Sequence, residues 1–190
     1  MKPVHKTENL FTYKDYLSWN DNKRWELIDG IAYDMSPAPS RSHQRISIEL
    51  CRQLSTHLLD KSCQVYSAPF DVRLPKQSEP EIDTVVQPDI SVVCDNKKLD
   101  DKGCIGAPDI IIEITSPNTA SKDLKEKFVI YEKHGVKEYW IIHPAEKTVL
   151  VFKLDDKGRY GKPDTYTSED RIKVVSLDNL EIDLSTVFRD

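Results

Sequence analysis

The spacing of apolar residues changes period several times along the chain, and each change predicts an element. Residues 12–19 read as a short helix opened by Thr12, with Asp15 three residues on to complete a capping box. From Arg24 to Met35 the apolar positions alternate: Trp25 and Leu27, then Ile31, Tyr33 and Met35. Asp29-Gly30 lies between the two runs and predicts a tight antiparallel hairpin, because its central positions need positive φ. Residues 41–60 carry Ile46, Leu50, Leu54 and Leu58 at every fourth position, the single apolar stripe of a helix. Residues 63–74 alternate as a strand, with Pro69 placing it at an edge or a bulge. Residues 85–94 form a second apolar strand, interrupted by Pro88-Asp89. A charged loop then runs to Gly106.

The run PDIIIEIT at 108–115 is apolar at nearly every position, as suits a central strand covered on both faces. Residues 119–134 form a second long helix with Leu124, Phe128 and Tyr131 on one side and Gly135 at its end. Residues 139–142 and 148–154 read as strands, Asp156-Lys157-Gly158 as a turn, and 171–175 as a further strand. The closing LEIDLSTVF reads as a last strand and a helical turn. Helix, hairpin, helix, strands, helix, strands make an α+β (mixed α/β) protein, with a mixed sheet flanked by helices.

A chain of 190 residues is most simply one domain spanning 1–190. No apolar run approaches the ~20 residues that cross a bilayer. MKPVHKTENLF lacks the apolar segment of a signal peptide, so a cytoplasmic protein is expected. Cys51, Cys63, Cys94 and Cys104 form no CxxC pair, which argues against structural zinc and predicts four reduced thiols. The net charge of -5 excludes a non-specific basic coat for nucleic acid, but not a nuclease, whose acidic metal site itself contributes negative charge.

The chemistry is concentrated where carboxylates interrupt apolar strands. Side chains alternate, so Asp109, Ile111, Glu113 and Thr115 share one face of their strand. A buried, unpartnered carboxylate is costly. Glu113 is therefore either a rim salt bridge, for instance to Lys127, or a site group near the strand's end. Asp89 interrupts a neighbouring strand directly after a proline, and Asp109 competes for the same role. Four strand residues separate Asp109 from Glu113, roughly 13 Å, too far for both to grip one ion. Asp89 has no such limit. Asp123 and Lys127 are one turn apart on the second long helix, where Lys127 flanks the apolar stripe and can lean toward the sheet, or form an exposed ion pair with Asp123. His43 falls on the stripe of the first long helix, where a histidine is more often a satisfied core residue than a catalyst. Glu49 lies at the margin of that stripe, as a solvated flank or an extra ligand.

Asp89 followed by Glu113 in EIT resembles the PD-(D/E)xK nuclease motif with Thr115 in the place of its last lysine. More specifically, WELIDGIAYDMSPAPSRSHQRI, VQPDISVV, GAPDIIIEITSPNTASKDLKEKFVIYEKHGVKEYWIIHP and LEIDLSTVF resemble the Uma family of restriction-endonuclease-like proteins. The resemblance implies a restriction-endonuclease-like fold and metal-dependent cleavage of DNA. Asp89, Glu113 and the Ile114 carbonyl would be the metal ligands, for Mg²⁺ or alternatively Mn²⁺. Lys127 would replace the missing strand lysine, and Asp123 matches a characteristic acidic position. Glu26 in WELIDG matches a recurrent family position, and a hairpin carboxylate has an equally good structural explanation. His143 stands where the family more often has Asp, and no catalytic duty is expected of it. A homodimer suits the cutting of two strands. The alternatives are an inactive nuclease-fold binding or regulatory module, which the lost lysine would fit, and a nuclease acting on RNA.

Overall fold

The structure is a computed structural model that describes residues 10–21, 23–35, 38–76, 81–116 and 122–189, without the side chains of 122–124. Helix α1 (Tyr13–Tyr16) is capped by Thr12 and Asp15 in the expected reciprocal box. Strands β1 (Trp25–Ile28) and β2 (Ile31–Asp34) form the predicted hairpin, with Asp29 at φ 45° and Gly30 at φ 77°. Helix α2 (Arg41–Leu58) follows Ser40, whose side chain accepts the His43 amide and caps the first turn.

Two strands expected from the pattern are each broken at a proline. Residues 63–74 become β3 (Gln64–Ser67) and β4 (Val72–Arg73), on either side of Pro69. Residues 85–94 become β5 (Val85–Val86) and β6 (Ile90–Val93), on either side of Pro88. In both cases the chain leaves one sheet and enters another, because proline lacks the amide that would continue a ladder. The charged stretch before Gly106 is not all loop: it holds β7 (Leu99–Asp100) and β8 (Gly103–Ile105). Strand β9 (Ile110–Ile114), helix α3 (Lys122–His134) and β10 (Glu138–His143) follow, α3 ending at Gly135 with φ 83°. The chain closes with β11 (Thr148–Lys153), β12 (Asp164–Thr167), β13 (Arg171–Val174), β14 (Leu180–Asp183) and α4 (Leu184–Val187).

One sheet has the order β2-β1-β5-β4-β8-β7 and the other β12-β11-β10-β9-β6-β3, with β13 and β14 as a separate ribbon. Strand β9 is central, parallel to β10 and antiparallel to β6. Its alternation separates two cores. Ile110, Ile112 and Ile114 face the α2 stripe and the C-terminal ribbon. Ile111 faces Tyr131 and Ile130 of α3 and residues of the first sheet, including Ile28, Val72 and Val86. Glu113 is on the Ile111 side, between the sheets. The architecture is the expected mixed α+β one. Among the described residues no helix is long and apolar enough to cross a membrane.

The expectation of four reduced thiols is corrected. The antiparallel register of β3 and β6 pairs Gln64 with Val93, so the next positions outward, Cys63 and Cys94, fall opposite one another and are joined in a disulfide. Cys51 and Cys104 are free.

Candidate active site

The two acidic strand positions meet because of register. Ile90 pairs with Ile112 across β6 and β9, so the next step places Asp89 opposite Glu113. Pro88 ends β5, and Asp89 begins the crossing into β6 with one carboxylate oxygen accepting the Ile114 amide at 2.7 Å. The rival acid Asp109 sits at the other end of β9, where it accepts the Cys94 amide at 2.7 Å and pairs with Lys137 at 2.6 Å. Its role is to fasten strand ends.

Lys127 is not in an exposed pair. It is only 4% exposed. Its ammonium lies 2.9 Å from Glu113 Oε1 and 2.9 Å from Glu26 Oε1. Tyr131, one helical turn on and therefore on the same face of α3, donates its hydroxyl to the same Glu113 oxygen at 2.8 Å. Glu26 reaches the cluster because it alternates with Leu27 on β1: Leu27 packs toward α1, and Glu26 turns toward the second sheet. Its Oε1 also accepts the Gln87 amide at 2.8 Å, and its Oε2 is buried with no hydrogen-bond partner.

His43 joins the cluster from α2. Its Nε2 lies 3.1 Å from Asp89 Oδ2, so it has a polar partner where the helical pattern suggested a core histidine. Its Nδ1 is buried and unpartnered. Glu49, two turns along the same helix, is elsewhere. Its carboxylate accepts two hydrogen bonds from Arg52, one from Gln53 and one from Thr186 at the start of α4. The notion of Glu49 as an extra ligand is thus replaced by a helix-to-helix tie. The Asp123 side chain lies outside the described residues, and so does its suggested contact with Lys127. His143 shares a 3.2 Å contact with the Thr115 hydroxyl.

Three carboxylates therefore gather around one ammonium and one imidazole, largely out of water. Burial raises the Glu113 pKa; the Lys127 ammonium opposes this, and the Asp89 and Glu26 charges add to the rise, leaving it at about 7. Burial alone would favour neutral Lys127, but Glu113 and Glu26 outweigh it and hold the ammonium form more firmly than in water. For His43 burial again favours the neutral ring, and Asp89, Glu113 and the Ile114 backbone together shift it the other way, toward imidazolium. The site's three carboxylates exceed the two cations, Lys127 and His43, that pair with them.

That excess makes a test of whether a metal ion fits. Among the described residues no group of three or more His, Cys, Asp or Glu side chains forms a ready-made cage. Mg²⁺ needs none, since it binds through one or two carboxylates and keeps several waters. Asp89, Glu113 and the Ile114 carbonyl are an all-oxygen set, and Glu26 Oε2 is left buried without a hydrogen-bond partner. The residues present fit a hard divalent cation.

Two residues of the cluster were not singled out for chemistry by the sequence. Tyr131 counted only as an apolar-stripe residue, and Gln87 only as part of the 85–94 run ahead of Pro88-Asp89. Neither role has a local signature, since each depends on what lies across the sheets.

A family model described as "Putative restriction endonuclease", Uma2, matches residues 13–185. The "Uncharacterized protein slr1290" of Synechocystis sp. is 24% identical over 179 residues, covering 93% of this chain and 90% of that protein. Among solved structures, a crystal structure of "a putative nuclease belonging to DUF820" from Anabaena variabilis has the same fold. Its TM-score is 0.74 at 21% identity, over 94% of this chain and 97% of that one.

Proposed function

We propose that this chain, which belongs to the Uma2 family, is a metal-dependent endonuclease that hydrolyses DNA phosphodiester bonds. The observation that carries the reading is the convergence of Asp89, Glu113 and Lys127 from two strands and a helix, with Lys127 Nζ 2.9 Å from the Glu113 carboxylate. Asp89, Glu113 and the Ile114 carbonyl would hold the ion, Mg²⁺ with Mn²⁺ as substitute. When bound, the ion lowers the pKa of a coordinated water and offsets charge on the scissile phosphate.

The chain's own groups do the rest. Lys127 has three N–H donors, of which Glu26 and Glu113 take two, leaving one for charge that develops on the phosphate oxygens. Held as an ammonium by its carboxylates, it orients and stabilises; it is not the base. Tyr131 and Lys127 both grip Glu113 Oε1, which leaves Oε2 as the oxygen for a ligand. Glu26 fixes Lys127 through a second ion pair, and the backbone at Ile114 fixes Asp89. Lys127 thereby supplies from a helix the cation that Thr115, just past the end of β9, cannot.

The test is cleavage of DNA and RNA with Mg²⁺ or Mn²⁺, comparing the native protein with Glu113→Ala. Metal-dependent cleavage of DNA by the native protein is expected, with a loss of at least about 100-fold in the variant, the scale of a lost group at a metal centre. Cleavage that survives the substitution removes Glu113 from the site. Cleavage of RNA alone changes the substrate, and no cleavage of either favours the binding module.

A further inference from the structure

A groove of about 180 Å³ opens beside Asp89, bounded by Arg24, by His43 and Ser47 of α2, and by Ser67 and Ala68 at the end of the edge strand β3. Arg24 is exposed and is held in an unusual way. Its Nε and one terminal nitrogen both donate to the same amide oxygen, Gln87 Oε1, at 3.0 and 2.8 Å. Gln87 cannot swing away. It is 8% exposed, its amide nitrogen donates to Asp71 at 2.8 Å and to the Tyr16 hydroxyl at 3.1 Å, and its backbone amide is bound to Glu26.

The chemistry of that anchor is the point. An arginine held by a carboxylate is oriented and neutralised at once, as Arg73 is by Asp100. One held by a neutral amide is oriented with its charge intact. Arg24 has no carboxylate partner among the described residues. Of its five N–H donors two are taken by Gln87, so three remain for a ligand. A planar, fixed, uncompensated guanidinium matches a phosphate group, where a flexible ammonium would act only as a point charge. It borders the same groove as Asp89, on a chain whose net charge of -5 offers a polyanion no general attraction.

We infer that Arg24, set by Gln87, is a clamp for a backbone phosphate of the nucleic-acid strand, next to the phosphate presented to Asp89. This rests on the nuclease reading and names the residue that holds the substrate in register. Gln87 is then a positioning residue, linked through its own backbone to Glu26 and so to Lys127.

The measurement is binding of a labelled DNA duplex to the full chain in EDTA, over a range of salt, with thermal melting as a check of fold. Each phosphate neutralised contributes about 0.9 to the slope of log K against log salt. Arg24→Gln is expected to weaken binding and to lower that slope by about 0.9, whereas Arg24→Lys keeps the slope. Gln87→Glu, which sets a carboxylate against the unchanged guanidinium, is expected to lose slope as Arg24→Gln does. A folded Arg24→Gln protein that keeps the native slope overturns the clamp and leaves the nuclease reading standing, provided the native protein cleaves. A native protein that neither binds nor cleaves nucleic acid overturns both.

Discussion

Lys127 shows how little a single residue's sequence neighbourhood says about its environment. On the helix it is one charged side chain beside Glu126 and Lys125; in the fold its ammonium is held between the buried Glu26 and the part-buried Glu113 carboxylates. Removing it strands both. Lys127→Met is expected to cost about 3–5 kcal/mol, the penalty of breaking a buried pair from one side, measured by denaturant unfolding at neutral pH. Tyr131→Phe is a gentler probe. It deletes only the hydroxyl on Glu113 and is expected to cost about 1.5–3 kcal/mol, the range for a hydrogen bond to a charged acceptor. If Lys127→Met unfolds at the native denaturant midpoint, the two carboxylates are not buried together as described.

At the scale of elements, α2 has three duties. Its apolar stripe covers the Ile110, Ile112 and Ile114 side of the central strand, His43 meets Asp89, and Glu49 ties the helix to α4. Leu50 is fully buried in that stripe and Ile48, two residues away, is 71% exposed. Leu50→Ala is expected to cost about 2–5 kcal/mol and Ile48→Ala to stay within about 0.5 kcal/mol, both by denaturant unfolding. The Glu49 tie makes a prediction about acid. Its hydrogen bonds to Arg52 lower its pKa most; burial opposes them, and the hydrogen bonds from Thr186 and Gln53 restore the lowering, to about 2 from an ordinary 4.5. A folded-state pKa below the unfolded one means the contribution is complete above about pH 4.5 and is lost as pH falls toward about 2. The stability gap between the native protein and Glu49→Gln is therefore expected to be constant near neutrality and to close across that interval. A gap that widens with acid would contradict the tie.

At the scale of the whole molecule, the two sheets and α3 deliver four acidic or basic groups to one place, and an ion that binds there must stabilise the folded chain. Mg²⁺ at a hundredfold excess over its dissociation constant is expected to add about 2.7 kcal/mol to unfolding. Asp89→Asn is expected to abolish most of that gain, read as the midpoint shift on adding Mg²⁺ without any substrate. Equal shifts in both proteins would place the ion elsewhere.

Much of this was legible in the chain because it depends on local periodicity. The DG hairpin, the fourfold stripe of α2, the two-sided apolar β9 and the Thr12–Asp15 cap follow from side-chain geometry within a few residues. So does the face on which Glu113 stands. The sequence could not tell that Pro69 and Pro88 divide strands between two sheets, since a proline shows where a ladder stops but not where the chain goes next. Strand spacing set Asp109 too far from Glu113 to share an ion with it, but could not place Asp89 beside Glu113. Each aspartate follows a proline and each accepts a backbone amide across the β6–β9 pair, and only the register puts one of them opposite Glu113. The same holds for the pairing of Cys63 with Cys94, for Glu49 turning to Thr186, and for Arg24 resting on Gln87. Local pattern fixes which way a side chain faces. What it meets there is set by strand register and sheet order, which join residues tens of positions apart and exist only once the chain has folded.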